Sequence, residues 1–341
     1  MLNKKKLETN RIDNLTISSS IVVQAALDLG LKCELLPEKA VRVSKGKTSY
    51  YLRGTTLPCN DAAASKLSDN KLFTRYLLNE AGISTPQTLI LKNPNEWKKV
   101  LKQKNLLFPL VVKPLNAAHG HGITIKIMSL KTFEKAVIKA FSFTIKEYKE
   151  KKVLVEEYFS GRDLRFLVVG NKIASVLERR PAYVVGNGKN NLRELISAFN
   201  REWKSQVAEF DLPMCPILVD SELTRKLKQQ KLTLNYMPQS GKKVILRWNA
   251  NVSTGGRPFD VTDEVHPALK TLALKCAKTM KLQVAGVDML CKNLKLNDIS
   301  HKNLCVLEVN DEPGLDIHKF PYRGKSRDVG RDIIKYIFKI K

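Results

Sequence analysis

Asp288 and Glu308 interrupt two apolar runs, Gly286-Val287-Asp288-Met289-Leu290 and Leu307-Glu308-Val309-Asn310. Charged side chains are seldom buried unless paired or bound to metal. Glu308 and Asn310 stand two residues apart, so a strand directs both to one face. Two carboxylates and an amide oxygen make a hard-oxygen set suited to Mg2+ bridging phosphates. A salt bridge to one of the many arginines is the alternative. A second constellation is Val111-Val112-Lys113-Pro114, followed by the loop His119-Gly120-His121-Gly122. A strand lysine beside a glycine loop rich in backbone N–H donors suits a triphosphate; a surface lysine before a turn is the plain alternative. The third is Glu156-Glu157-Tyr158-Phe159 running on to Asp163 and Arg165. Carboxylates at a strand end can accept from an adenine amine or ribose hydroxyls, with backbone between them reading the base edge. An exposed acidic strand end would look the same.

These residues need elements to hold them. Up to about Asn60 the chain reads as a small α/β unit, with a helix over Ile17–Leu29 stopped by Gly30 and strands near 33–36, 41–43 and 48–52. Ser68-Asp69 offers an N-cap for a helix over Asn70–Ala81, ended by Gly82. Then come a strand at Leu106–Leu115, the glycine loop, a strand at Ile123–Met128 and a helix capped by Ser129. Leu164–Val169 and Lys172–Leu177 form a hairpin joined by Gly170-Asn171, a two-residue II′-type turn. Helices are expected at Asn191–Lys204, Ser221–Gln230, Pro267–Met280 and from Asp328 towards Ile340, and strands at Gln283–Leu290 and Leu304–Val309. The interleaving makes the class α/β or α+β.

Several chemistries are excluded. Gly324-Lys325-Ser326 and Gly46-Lys47-Thr48 imitate the end of a P-loop, but Lys319 and Val41 stand where its first glycine belongs. The Rossmann fingerprint fails at Ile125. The five histidines lack the H-E-x-x-H arrangement, and six cysteines without a C-x-x-C pair give no zinc spacing. Cys276 falls on a helical apolar stripe and is expected in the core. No stretch approaches the ~20 apolar residues of a membrane helix, and no apolar run follows the basic N-terminus as in a secretory signal. A cytoplasmic protein with reduced thiols fits best.

At 341 residues, 43% hydrophobic and 27% charged, the chain has ample material for a core. Its 59 basic against 33 acidic residues leave +26, which predicts attraction to polyanions without saying which. With 7% aromatic residues and no basic–aromatic interleaving, nucleic acid is a poor candidate.

Taken in order, these motifs resemble the ATP-grasp ligases, most closely the ATP-grasp modules of bifunctional glutathione synthetases and cyanophycin synthetase. The resemblance runs from about Asn14 to Ile337 and includes Asn70-Lys71, Arg180-Pro-Ala-Tyr-Val-Val-Gly-Asn-Gly188, Asn249-Ala-Asn-Val-Ser-Thr-Gly-Gly256 and Glu308-Val-Asn310. It implies two α+β lobes clamping ATP (67–158 and 159–341) behind a small N-terminal domain at 1–66. It also implies roles. Lys71 and Lys113 would hold the α- and β-phosphates, under the loop with His119, Gly120 and Gly122. Glu156 and Glu157, the backbone of Tyr158 and Phe159, and Asp163 would take adenine and ribose. Asp288, Glu308 and Asn310 would bind two Mg2+, with Mn2+ an alternative. Arg165, Arg180 and Arg247 would clamp the γ-phosphate or a substrate carboxylate, and Asn251 and Ser253 would lie near the reacting centre.

The implied activity is ATP-dependent joining of a carboxylate to an amine on amino acids or peptides, with no membrane partner. The chain reads as a free-standing module, so the substrates stay open, as does homo-oligomerisation. A non-catalytic basic nucleotide- or nucleic-acid-binding protein on the same scaffold is the competing expectation. The sequence departs from the family pattern at Asn70 and Asn187, where aspartate is usual, and at Asn116-Ala117-Ala118 and His121 in the loop.

Overall fold

The computed structural model describes residue 12 and residues 15–98, 107–115, 122–144, 151–210 and 215–340, with only the backbone of 203–210. The chain opens with helix α1 (Ile17–Asp28), whose first turn is capped by Thr16 accepting from the Ser19 N–H. Strands β1 (Lys32–Leu35), β2 (Ala40–Lys45) and β3 (Thr48–Arg53) follow as an antiparallel sheet. Gly46, at φ 58°, makes the β2–β3 turn, so Gly46-Lys47-Thr48 is hairpin punctuation.

Helices α2 (Ala62–Ser68) and α3 (Lys71–Glu80) come next. The cap of α3 is one residue later than the sequence predicts: Asn70 accepts from the Leu72 and Phe73 N–H groups, while Asp69 closes α2. Asn can do this as well as Asp, so the departure at Asn70 leaves the helix start intact and places Lys71 at its first position.

Strands β4 (Thr88–Leu91), β5 (Leu110–Pro114), β6 (Thr124–Ile127) and β7 (Val153–Glu157) form a sheet in the order β4-β7-β5-β6, backed by helix α4 (Leu130–Ser142). Ser129 caps α4 as expected, and Phe133, Ala136, Val137 and Ala140 face that sheet. The second sheet, order β12-β9-β8-β13-β14, uses β8 (Arg162–Val169), β9 (Lys172–Arg180), β12 (Arg257–Asp260), β13 (Val284–Cys291) and β14 (Leu304–Asn310). Between its strands the chain inserts β10 (Tyr183–Val185), α5 (Leu192–Phe210), α6 (Ser221–Gln229) and β11 (Lys243–Ile245). Every pairing among these strands is antiparallel, so of the two expected classes the protein is α+β.

Helix α7 (Pro267–Thr279) covers one face of the second sheet with Leu269, Leu272, Ala273 and Cys276. Full burial of each leucine contributes about 1.5–3 kcal/mol. Cys276 is a core residue, its thiol pushed up to about 12 by burial. After the short α8 (Asp316–Lys319) the chain ends in α9 (Val329–Phe338), which returns to pack on α1. Val329, Ile333, Ile334 and Phe338 share one core with Val22, Val41 and Leu52. The N-terminal unit is therefore completed by a helix that the division by sequence assigns to the third segment.

His318 on α8 is fully buried, with Nδ1 2.8 Å from the Ser175 hydroxyl. Burial, with Arg165 and Arg179 adding to it against nearby Asp288, pushes its imidazole down to about 3. The unfolded chain takes up that proton first, so stability is lost as pH falls below about 6.5. Between pH 6.5 and 5 this loss should be about 2 kcal/mol. Urea unfolding across that range should show a flatter profile for His318→Gln; equal slopes would refute the assignment.

Candidate functional site

The two large sheets and the N-terminal unit enclose a cleft of about 1790 Å3. From α3 it receives Lys71, from β5 Lys113, and from β7 and the turn after it Glu156, Glu157, Tyr158 and Phe159. The second sheet supplies Asp163, Arg165, Arg180, Asp288, Glu308 and Asn310, and the loop before β12 supplies Asn251 and Ser253. Of the residues singled out by sequence, Gly122 is described, at φ 71° where a Cβ would press on Pro114 and Phe143. His119 and Gly120 lie outside the described residues.

Lys113 and Glu156 are almost wholly buried, with Nζ and Oε1 2.9 Å apart. A residue not singled out by sequence joins them: Arg75 of α3, also buried, places Nη2 2.7 Å from the same Oε1. Burial would raise the Glu156 carboxyl, but Lys113 and Arg75 hold it below its ordinary range. Burial lowers Lys113, with Arg75 and Lys71 adding to it against Glu156. The Glu156 carboxylate thus holds the lysine in place. Glu157 is engaged as well, accepting from the Gln87 N–H at 3.2 Å and lying 3.0 Å from Nε2 of His301. The Tyr158 N–H donates to Pro109 O at 3.1 Å.

The far wall is a network of carboxylates and guanidiniums. Asp288 receives Arg165 in a two-pronged pair, with Nη2 to Oδ2 at 2.7 Å, and Arg179 at 3.1 Å. Arg179 also donates from Nε and Nη2 to Asp163 Oδ1, at 2.9 and 2.6 Å. Burial would raise Asp288, but Arg165 and Arg179 hold its carboxyl well below the carboxylate range. Asp163 is raised: burial outweighs Arg179, and Asp288 adds its repulsion. Arg162 and Arg180 share Glu178, at 2.7–2.8 Å, and Arg180 lies over the Phe259 ring, 3.9 Å from its centroid.

Asp288 and Glu308 are cross-strand partners on β13 and β14, with a bulge after Asp288. Asn310 Nδ2 contacts Glu308 Oε1 and Gly286 O, each at 3.4 Å. Lys71 Nζ lies 4.0 Å from Glu308 Oε2, so the first lobe's cation meets the second lobe's carboxylate across the cleft. Among the described residues no three His, Cys, Asp or Glu side chains converge as a metal site. Asp288, Glu308 and Asn310 are the side-chain oxygen donors that β13 and β14 present to the cleft.

Arg247 is placed elsewhere. It is buried against α6, donating to Asp220 at 2.7–2.9 Å and lying 3.5 Å from Glu222, outside the lining of the cleft. There it neutralises the capping carboxylate of that helix. Its neighbours shape the loop: Asn249 donates to Glu222 and accepts from Thr254, and a Cβ at Gly256 would collide with the Ala250 carbonyl. At Asn187 the side-chain oxygen accepts from the Lys189 and Asn190 N–H groups, so the turn keeps the chemistry an aspartate would give it.

The lining of the cleft among the described residues holds eight lysines and arginines against ten aspartates and glutamates. The surplus of +26 therefore lies outside it.

A family model for the RimK-like ATP-grasp domain matches residues 68–193 and 239–337. The chain belongs to the RimK-like ATP-grasp family. Among its relatives, the glutathione biosynthesis bifunctional protein GshAB of Clostridium perfringens is 33% identical over 98% of this chain and 43% of that protein. Cyanophycin synthetase of Crocosphaera subtropica is 31% identical over 87% of this chain and 33% of its own length. The crystal structure of a bifunctional glutathione synthetase from Pasteurella multocida superposes with a TM-score of 0.70 at 30% identity, covering 96% of this chain and 44% of the other. The chain thus spans less than half the length of these relatives. The ATP-grasp fold and the family resemblance drawn from the motifs are both borne out.

Proposed function

We propose that this chain is an ATP-dependent carboxylate–amine ligase. ATP transfers its γ-phosphoryl group to a substrate carboxylate, giving an acyl phosphate and ADP; an amine then displaces phosphate and an amide or peptide bond forms. The observation that carries this reading is the meeting of Lys71 with Glu308 across one cleft that also holds Lys113, Arg165, Arg180 and Asn310. Phosphate-binding cations on one lobe face hard-oxygen donors on the other, as a metal–triphosphate requires.

In this reading Lys71 and Lys113 hold the phosphates, and Arg75 with Glu156 orients Lys113. The turn at Tyr158-Phe159 and Asp163 take the nucleoside. Glu308 and Asn310 fit Mg2+, with Asp288 beside them on β13. When bound, the ion offsets negative charge on the phosphoryl oxygens. Arg165 and Arg180 are in place to bind anionic oxygens of the phosphoryl group or substrate carboxylate, and Asn251 and Ser253 border the reacting centre. The side chains position and neutralise; none needs to act as a nucleophile.

The substrate class is amino acids or peptides, by likeness to the relatives named above. Among the described residues no helix is long and apolar enough to cross a membrane, and the six cysteines are unbridged, in keeping with a cytoplasmic setting. The test is ADP release from Mg-ATP with a panel of amino acids and peptides. Lys113→Ala should cut turnover by about a hundredfold or more. ADP release that persists in Lys113→Ala, or that is independent of any acceptor, would contradict the assignment.

A further inference from the structure

A second cavity, of about 730 Å3, opens where the β8–β9 hairpin meets β3 and α9. Its volume is in the range of small-ligand sites. The body of the cavity is apolar: Val169, Ile173 and Ala174 come from the hairpin, and Ile337 and Ile340 from the end of the chain. Two aromatic walls are fixed. Tyr336 lies over Gly170, where any Cβ would collide with its ring, and its hydroxyl donates to Gln283 Oε1 at 2.6 Å. Tyr50 stands edge-on to Phe338, their centroids 5.2 Å apart.

Lys172, Lys335 and Lys339 also line this cavity, with Asp332 as the one carboxylate in the lining. Among the described residues none of the three lysines forms an ion pair. Burial and the neighbouring Asp328 raise the Asp332 carboxyl against Lys172 and Lys335, so one carboxylate faces three lysines here. The Cys59 thiol, pushed up to about 11 by burial, adds no charge. Lysine stems can lie along an apolar wall while their ammonium groups meet an acidic head.

We propose that this cavity binds an organic anion with an aromatic or aliphatic body, at a site separate from the nucleotide cleft. Arg165 and Val169 lie four residues apart on β8, about 13 Å at a strand's rise, so occupancy here does not compete with Mg-ATP.

The probe is 8-anilinonaphthalene-1-sulfonate, titrated by fluorescence into the full chain. One saturable site is expected, unchanged by Mg-ATP. Ala174→Trp fills the cavity, and the pair Lys172→Glu with Lys339→Glu reverses its charge at exposed positions; each should weaken binding at least about tenfold. Neutral N-phenyl-1-naphthylamine should bind at least about tenfold more weakly than the sulfonate. Undiminished binding in the charge-reversed pair, or equal affinity for the neutral amine, overturns the proposal. So does undiminished binding in folded Ala174→Trp. If Ala174→Trp does not fold, the charge-reversed pair decides alone.

Discussion

Glu308→Ala is expected to reduce turnover by about 10²–10³, or roughly 3–4 kcal/mol of transition-state stabilisation. Glu308 is the second-lobe carboxylate that meets Lys71, and its side chain keeps 33% of its surface accessible. Fold stability rests little on it: its ion pair with Lys71 is long, at 4.0 Å, and such partly exposed pairs contribute about 0–1 kcal/mol. The variant should therefore keep the wild-type urea midpoint while losing activity, and should need more Mg2+ to reach half its residual rate. Turnover within a factor of about three of wild type would remove Glu308 from the phosphate-facing machinery. Asp288→Asn should behave differently. It strips the charge that holds Arg165 and Arg179, so the loss of activity should come with a loss of stability.

The second large effect is on folding. Glu156→Gln removes the one carboxylate lying between Lys113 and Arg75, all three being buried. Removing one partner of a buried pair costs about 3–5 kcal/mol, a large share of the roughly 5–15 kcal/mol of a typical domain. The pH dependence has a definite sign. The Glu156 carboxyl is held below its ordinary value, so in the wild type its contribution is present at neutral pH and lost as pH falls through the folded value. In the variant, Lys113 loses its partner and its already lowered ammonium falls further. The unfolded chain then binds the extra proton, so the variant gains stability as pH rises towards about 10. Urea unfolding at pH 7 and 10 should show the gap between variant and wild type narrowing. A gap that is small at pH 7, or constant across the range, would show that the triad does not hold Lys113.

Much of this site was legible because its chemistry is local in sequence. Glu308 and Asn310 share a strand face by simple alternation, and Gly170-Asn171 does close the β8–β9 hairpin, with Gly170 at φ 58°. What sequence reasoning missed lies one step beyond local pattern. Counting back from that turn pairs Asp163 with Glu178. A bulge on β9 shifts the register by one and brings Arg179 opposite Asp163 instead. Arg179 is therefore central to the network, while strand alternation alone gives no reason to choose it over Arg180.

Arg75 hides for another reason. It stands four residues after Lys71, which puts both on one helical face, but the carboxylate that selects it comes from β7, far along the chain. Arg247 shows the reverse error. A guanidinium beside the Asn249–Gly256 loop matches a phosphate in type, yet the helix cap at Asp220 claims it. The surplus of +26, which composition alone does not place, does not collect in the cleft.

The central claim is that the cleft couples ATP cleavage to condensation of an acid with an amine. Its most direct test is a mass-spectrometric screen of the protein with Mg-ATP and pooled amino acids and short peptides. ADP and phosphate are expected in step with a product whose mass equals an acid plus an amine less one water, its yield cut by about a hundredfold or more in Glu308→Ala. ADP formed without any condensed product, or no turnover with any member of the pool, would contradict it.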